Sequence, residues 1–173
     1  SFPKGDRIYQ DRLYLNDGKG RFQKGTLPEM SHSGPVVKVS DFDQDGDPDL
    51  FIGGGALPGQ YPSSYPSILL ENKNGQLVRS TLLPAVEGIV NDALWWDYNE
   101  DGYDDLILAG EWMPITILKN QSGKSFENVT EKMGLSKSHG LWNSLVVLDL
   151  DGDGKNELVA GNLGLNHLFE VSS

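Results

Sequence analysis

Cysteine is absent from the 173 residues, which excludes a disulfide framework, a thiolate zinc site and thiol chemistry. Histidine is scarce: His32, His139 and His167 stand singly and far apart. Basic residues are few and scattered, 14 Lys and Arg against 25 Asp and Glu. Phosphate binding needs a clustered basic face, so nucleic acid is not an expected partner. No apolar run approaches the ~20 residues of a membrane-spanning helix. The opening Ser1-Phe2-Pro3-Lys4-Gly5 carries no apolar signal-peptide core. Sustained helical periodicity is missing outside about one turn near Asn128 to Leu135. There is also no Gly-x-Ser-x-Gly elbow, no His-Glu-x-x-His, no phosphate-cradling glycine loop and no supported Ser/His/Asp set. A non-enzymatic protein is the expectation.

What the chain does have is acid, placed in three matched loops. They run from Asp41 to Asp49, from Asp97 to Asp105 and from Asp149 to Glu157. Each puts an oxygen-bearing side chain at positions 1, 3, 5 and 9, and these loops hold 14 of the 25 acids. A hard cation such as Ca²⁺ takes six to eight oxygens at about 2.3–2.6 Å, and alternating Asp or Asn on a curled segment supplies them. Without a cation, two carboxylates about 5 Å apart repel by roughly 3 kcal/mol at an effective dielectric near 20. Polar turns alone would not recur three times in one frame. Nor are these EF-hands, which need a bidentate Glu at position 12 and flanking helices.

The expected ligand sets follow from position. The first is Asp41, Asp43, Asp45 and Asp49, with the Asp47 carbonyl; the second is Asp97, Asn99, Asp101 and Asp105, with the Tyr103 carbonyl. The third is Asp149, Asp151, Asp153 and Glu157, with the Lys155 carbonyl. Up to three Ca²⁺ would bring the formal charge from −11 to −11 + 6 = −5. A catalytic metal needs an open position and a nearby base, for which the loops give no sign.

The loops recur after 56 and 52 residues, a spacing typical of repeat arrays. Apolar strands frame them: Val37 and Val39 align with Ala93 and Trp95 and with Leu145 and Val147. Behind the loops come Leu50-Phe51-Ile52-Gly53-Gly54, Leu106-Ile107-Leu108-Ala109-Gly110 and Leu158-Val159-Ala160-Gly161. Such continuous apolar runs suit strands buried on both faces. Asn/Gly turns at Asn16-Asp17-Gly18, Asn72-Lys73-Asn74-Gly75 and Asn120-Gln121-Ser122-Gly123 predict hairpins. From hairpin Asn to the first loop Asp the distances are 25, 25 and 29 residues. The fold class is therefore all-β, with four antiparallel strands per repeat and a Ca²⁺ loop between the first two, the pattern of a β-propeller blade. About three blades make an incomplete propeller: residues 1–27 end one blade, 34–83 form a second, 89–130 a third, and 142–173 begin a fourth. Unpaired blade edges at the ends predict association with more of a longer propeller or with copies of the chain.

The Asp-x-Asp-x-Asp-Gly-x-x-Asp-Leu loop followed by an apolar strand and Gly resembles the FG-GAP/VCBS repeat of integrin-α-type propellers. The stretches Tyr9 to Gly18 and Gly161 to Asn166 resemble large secreted bacterial repeat proteins that also carry an ASPIC-type segment. Two positions depart from the pattern: Glu157 adds a methylene to the third loop, and Asn99 removes a ligand charge from the second.

The resemblance implies an extracellular or cell-surface module. Antiparallel alternation gathers the remaining connections on the face opposite the calcium loops, where a protein or glycan ligand is expected. Its exposed-looking side chains are His32, Tyr61, Tyr65, Trp112, His139, Trp142 and His167, whereas Trp95 and Trp96 read as packing residues. The alternative is part of a calcium-containing propeller polysaccharide lyase, for which only the three His and scattered cations offer catalytic groups.

Overall fold

Runs such as Leu106 to Ala109 are apolar at every position because the strands that carry them face two cores at once. The computed structural model describes residues 7–30, 32 and 34–164. Leu165, Asn166 and His167, the end of the 142–173 segment and the start of the 1–27 segment lie outside the described residues. Among those described there is no α-helix. A 3₁₀ turn at Arg7–Tyr9 precedes twelve strands: β1 Tyr14–Asn16, β2 Phe22–Lys24, β3 Val37–Ser40, β4 Asp49–Ile52, β5 Ile68–Lys73 and β6 Gln76–Arg79, then β7 Ile89–Trp96, β8 Asp105–Met113, β9 Thr116–Asn120, β10 Phe126–Asn128, β11 Gly140–Leu148 and β12 Glu157–Asn162. All pairings are antiparallel.

β1 and β2 form a hairpin, and β3-β4-β5-β6 a four-stranded sheet. β7-β8-β9-β10 repeats that order, and the long β8 also pairs at its far end with β11, which carries β12. No sheet closes on itself. The three acidic loops occupy equivalent places, each joining a strand to the next. The residue before each loop pairs with the loop's closing acid: Ser40 with Asp49, Trp96 with Asp105, Leu148 with Glu157.

The period-two alternation of a strand distributes its side chains between the cores. Leu106 and Leu108 meet Phe42, Phe51, Leu69 and Leu118 between the first and second sheets. Ile107 and Ala109 turn the other way, into a core closed by Leu145, Leu158 and Ala160 of β11 and β12. In β4, Phe51 joins the first of these cores while Ile52 packs with Met30, Ile68 and Leu70 in a third. Each such fully buried side chain contributes about 1.5–3 kcal/mol of burial. Trp95 packs on the first core and Trp96 on the second, as expected of packing residues.

The apolar runs end in glycine for a steric reason. A Cβ on Gly54 would lie 1.9 Å from the Tyr65 carbonyl oxygen, and one on Gly110 would lie 1.9 Å from that of Ile89. Beyond the layers, Val37 and Val39 on β3 are 53% and 58% exposed, and Val146 and Val159 on β11 and β12 are 51% and 41% exposed. The two outward faces of the stack are therefore apolar.

Polar ties join the layers where the cores end. Asn120, 1% exposed, donates its amide to the Phe42 carbonyl of the first acidic loop (2.8 Å) and to the Asp104 carbonyl of the second (3.0 Å). Asp92 links three layers, pairing with Lys38 of β3 at 2.9 Å and accepting the Leu145 N–H of β11 at 2.8 Å. Truncating Asn120 leaves a buried carbonyl without its donor, a loss of about 1–3 kcal/mol. The side chain of Asn72, the matching residue of the first sheet, bonds to Pro48 and Gly75 within its own repeat. Asn120→Ala is therefore expected to lower urea stability clearly more than Asn72→Ala; equal losses would contradict the cross-layer role.

Candidate metal centre

The three loops close by related bonds, the third drawing on the position-4 N–H where the first two draw on position 5. At position 1, Asp41 accepts the N–H groups of Asp45 and Gly46 at 3.1 and 3.0 Å. Asp97 accepts those of Asp101 and Gly102 at 3.0 and 2.8 Å, and Asp149 those of Gly152 and Gly154 at 2.7 and 3.0 Å. The position-5 carboxylates Asp45, Asp101 and Asp153 each accept the position-7 N–H of Asp47, Tyr103 and Lys155. Each turn curls through left-handed backbone at positions 4 and 6: Gln44 and Gly46, Glu100 and Gly102, Gly152 and Gly154. Glycine takes that conformation without the strain it imposes on Gln44 and Glu100.

The position-9 acid closes the loop from behind. Asp49 accepts the Phe42 N–H at 3.3 Å and, with its other oxygen, the Asn72 N–H of β5 at 2.8 Å. Asp105 accepts the N–H groups of Tyr98 and of Asn120, the latter at 2.7 Å. Glu157 accepts the Leu150 N–H at 2.7 Å, its extra methylene absorbed without loss of the bond. Each closing acid thus accepts from position 2 of its own loop. Asp49 and Asp105 also hold the hairpin Asn, a role that the sequence reading of those Asn residues as turn formers missed. The interval from closing acid to hairpin Asn is 23 residues in the first repeat and 15 in the second, so spacing gave no signal of it.

Carboxylate oxygens of Asp41, Asp43 and Asp45 lie within 4.8 Å of one another, and so do those of Asp149, Asp151 and Glu157. Asp47, Asp49, Asp153 and Lys155 stand outside these groups; the Asp47 carboxylate accepts the Asn74 N–H at 2.9 Å. In the second loop, Asp97, Asp101 and Asp105 do not gather in this way. The Asn99 amide instead donates to Asp105 at 3.0 Å, and Lys119 pairs with Asp101 at 3.2 Å. That ammonium supplies part of the positive charge the loop requires. The corresponding residue of the first repeat is Glu71, whose charge adds to the cost at Asp43.

The electrostatic consequence is a raised affinity for protons. Burial, reinforced by Asp43 and Asp45, pushes Asp49 up to about 6 in spite of its two backbone bonds. Burial likewise pushes Asp105 up to about 6, with Asp101 and Asp97 adding to it. Burial raises Asp43 above the usual carboxylate range too, and the charges of Asp45 and Asp41 raise it further.

The first two loops are also in contact. Ser40 donates to Asp104 at 2.7 Å, the Gln44 amide donates to the Gly102 carbonyl, and the Gly123 turn leaves no room for a Cβ against Asp43. At the other end of the strands, the aromatic residues divide. Tyr61 and Trp112 are exposed, Trp142 packs partly on the second core, and Tyr65 is buried rather than exposed as the loop reading had it. The Tyr65 ring stacks on His32 with ring centroids 4.8 Å apart, while its backbone carbonyl lies against Gly54. His139 is exposed, and neither it nor His32 falls in a metal-ligating group.

Residues 97–160 match the FG-GAP-like repeat. The repeat begins on the first acid of the second loop and ends in β12, so it spans two acidic loops and the strands between them. A separate likeness covers 82 residues, 46% of the chain, at 32% identity to a Nitrobacter hamburgensis protein described as an anthranilate phosphoribosyltransferase. That stretch is 24% of the other protein, so the chain spans about a quarter of the relative it matches.

Asp49 and Asp105 bind protons more tightly in the fold than their ordinary value of 3.8. Their protonated forms stabilise the fold fully below that value, and the contribution is lost as pH rises through about 6. Asp92 and Glu71 are shifted down on balance, so their contribution is lost only at more acid pH. In chelator, the melting temperature is therefore expected to fall between about pH 4.5 and 7. Asp105→Asn should flatten that fall. A melting temperature that rises steadily over this interval would contradict the assignment.

Proposed function

We propose that this chain is a non-catalytic, calcium-binding segment of a β-propeller, part of an extracellular or cell-surface protein that serves as scaffold and recognition module. The observation that carries the reading is the shared closure of the three loops. Backbone N–H groups satisfy one side of the position-1 and position-9 acids while further carboxylate oxygens converge in the first and third loops. An all-oxygen donor set of this kind suits a hard cation rather than zinc or copper.

The proposed blades are residues 34–83 and 89–130, with 1–27 ending one blade and 142–173 beginning another. The repeat match across 97–160 and the matching strand orders β3-β4-β5-β6 and β7-β8-β9-β10 support this division. The apolar outward faces of β3 and of β11 and β12 suit further blades, or copies of the chain, stacked on them. The first and third loops are the stronger proposed sites; Asn99 and Lys119 weaken the second. For a site with Kd near 10⁻⁴ M, calcium near 1 mM contributes roughly 1.4 kcal/mol of stability.

Chelation is expected to lower the melting temperature, and calcium to restore it. Asp43→Asn should reduce the calcium-dependent gain without lowering stability in chelator, because it removes a carboxylate from a repulsive cluster. Asp104→Ala should cost the same with and without calcium, because Asp104 serves the Ser40 bond. Calorimetry in both conditions checks this. A melting temperature indifferent to chelator, or identical responses of the two variants, would overturn the calcium reading.

A further inference from the structure

At the far end of the strands from the acidic loops lies a cleft of about 510 Å³, lined by Pro62 to Pro66, Val86 to Gly88 and Trp112. Asp105 and Trp112 are at opposite ends of β8, so the cleft is roughly 24 Å along the strand from the second loop. Its size falls in the range of about 300–1,000 Å³ typical of small-ligand sites.

Trp112 is held in place at some cost. Its backbone has φ +61°, left-handed and unfavourable for a side chain of this bulk. The indole N–H donates to the Tyr61 hydroxyl at 2.8 Å, and that hydroxyl donates to Glu111 at 2.8 Å. Glu111 in turn accepts the Asn91 amide at 3.3 Å. Tyr61 also meets the indole edge to face, with ring centroids 6.1 Å apart. The one polar atom of the indole is thus engaged inside the protein, while the ring stays 40% exposed at the cleft. Strain maintained in this way is characteristic of binding sites, and a fixed ring loses little entropy when a ligand stacks on it.

The remaining lining complements a ring that bears hydroxyls. Ser63, Ser64 and the exposed carboxylate of Glu87 offer hydrogen-bond partners. Among the described residues no Lys, Arg or His lines the cleft, and the chain carries a formal charge of −11, which disfavours uronates, sulfated sugars and phosphates. A proline-rich peptide needs successive aromatic slots; here a single exposed indole faces hydroxyls and a carboxylate.

We propose that this cleft binds a neutral hexopyranose glycan, with Trp112 as the stacking platform and Glu87, Ser63 and Ser64 as hydrogen-bonding partners. The proposal rests on the recognition role put forward above and names its ligand class.

The test titrates the full chain, in calcium and in chelator, with cellohexaose, laminarihexaose, maltohexaose, mannohexaose, trigalacturonate and decaproline, following tryptophan fluorescence and heat. At least one neutral hexasaccharide is expected to saturate the protein. Trp112→Gly should weaken that affinity at least about tenfold while the melting temperature holds or rises, since glycine accepts the left-handed backbone. Glu87→Gln, on an exposed side chain, should weaken it at least about threefold with the fold intact, and serves if the first variant misfolds. No saturation by any neutral hexasaccharide at about 10 mM overturns the proposal. So does unchanged affinity in the soluble variants, or saturation by trigalacturonate or decaproline alone. The calcium reading fails on the melting temperature and the glycan reading on the titration, so the two failures are distinct.

Discussion

A buried carboxylate at the end of each of the first two acidic loops holds the rest in register. Asp49 and Asp105 are 1% and 0% exposed, and each spends its oxygens on backbone N–H groups from two directions. One group belongs to the loop, the other to the Asn that opens the next hairpin. Loop, strand and hairpin are thereby fixed to one another through a single side chain. Asn120 then extends the connection by bonding the first sheet's Phe42 carbonyl. The hydrophobic layers supply most of the driving force, but dispersion is non-directional, and it is these polar ties that set how one sheet lies on the next.

The same arrangement creates the electrostatic demand that the proposed calcium sites answer. Backbone bonds orient the position-1 and position-5 carboxylates without neutralising them, and burial raises the proton affinity of Asp49 and Asp105. The loops answer this demand differently. Lys119 lends the second an internal positive charge, whereas Glu71 adds a negative one near the first. Ser40 and Gln44 bond to the second loop, and the hairpin turn at Gly123 packs against Asp43 of the first. At the opposite end of β8, Glu111 and Trp112 show the contrasting use of a polar network, which there immobilises an exposed ring.

Much of the strand order was legible because the repeat writes the same pattern several times. The hairpins at Asn72 and Asn120, the continuous apolar runs and the place of the three loops all followed from spacing. Period alone could not reveal which side chains closed the loops. Asp49 reads as one more ligand in sequence, yet its oxygens are engaged by Phe42 and Asn72. Left-handed backbone at Gln44 and Glu100 was invisible for a related reason: neither residue type advertises it. Tyr65 looked like an exposed loop aromatic because the ring it stacks on, His32, belongs to a distant segment. The ties of Asn91, Glu111 and Tyr61 to one another join residues up to 50 apart in sequence, and no local pattern encodes them.

Calcium binding measured on the chelator-stripped chain by equilibrium dialysis bears most directly on this account. Between two and three ions per chain are expected at about 5 mM calcium, the weakest of them lost selectively when Asp101 is replaced. Fewer than about one ion per chain under that condition would contradict it.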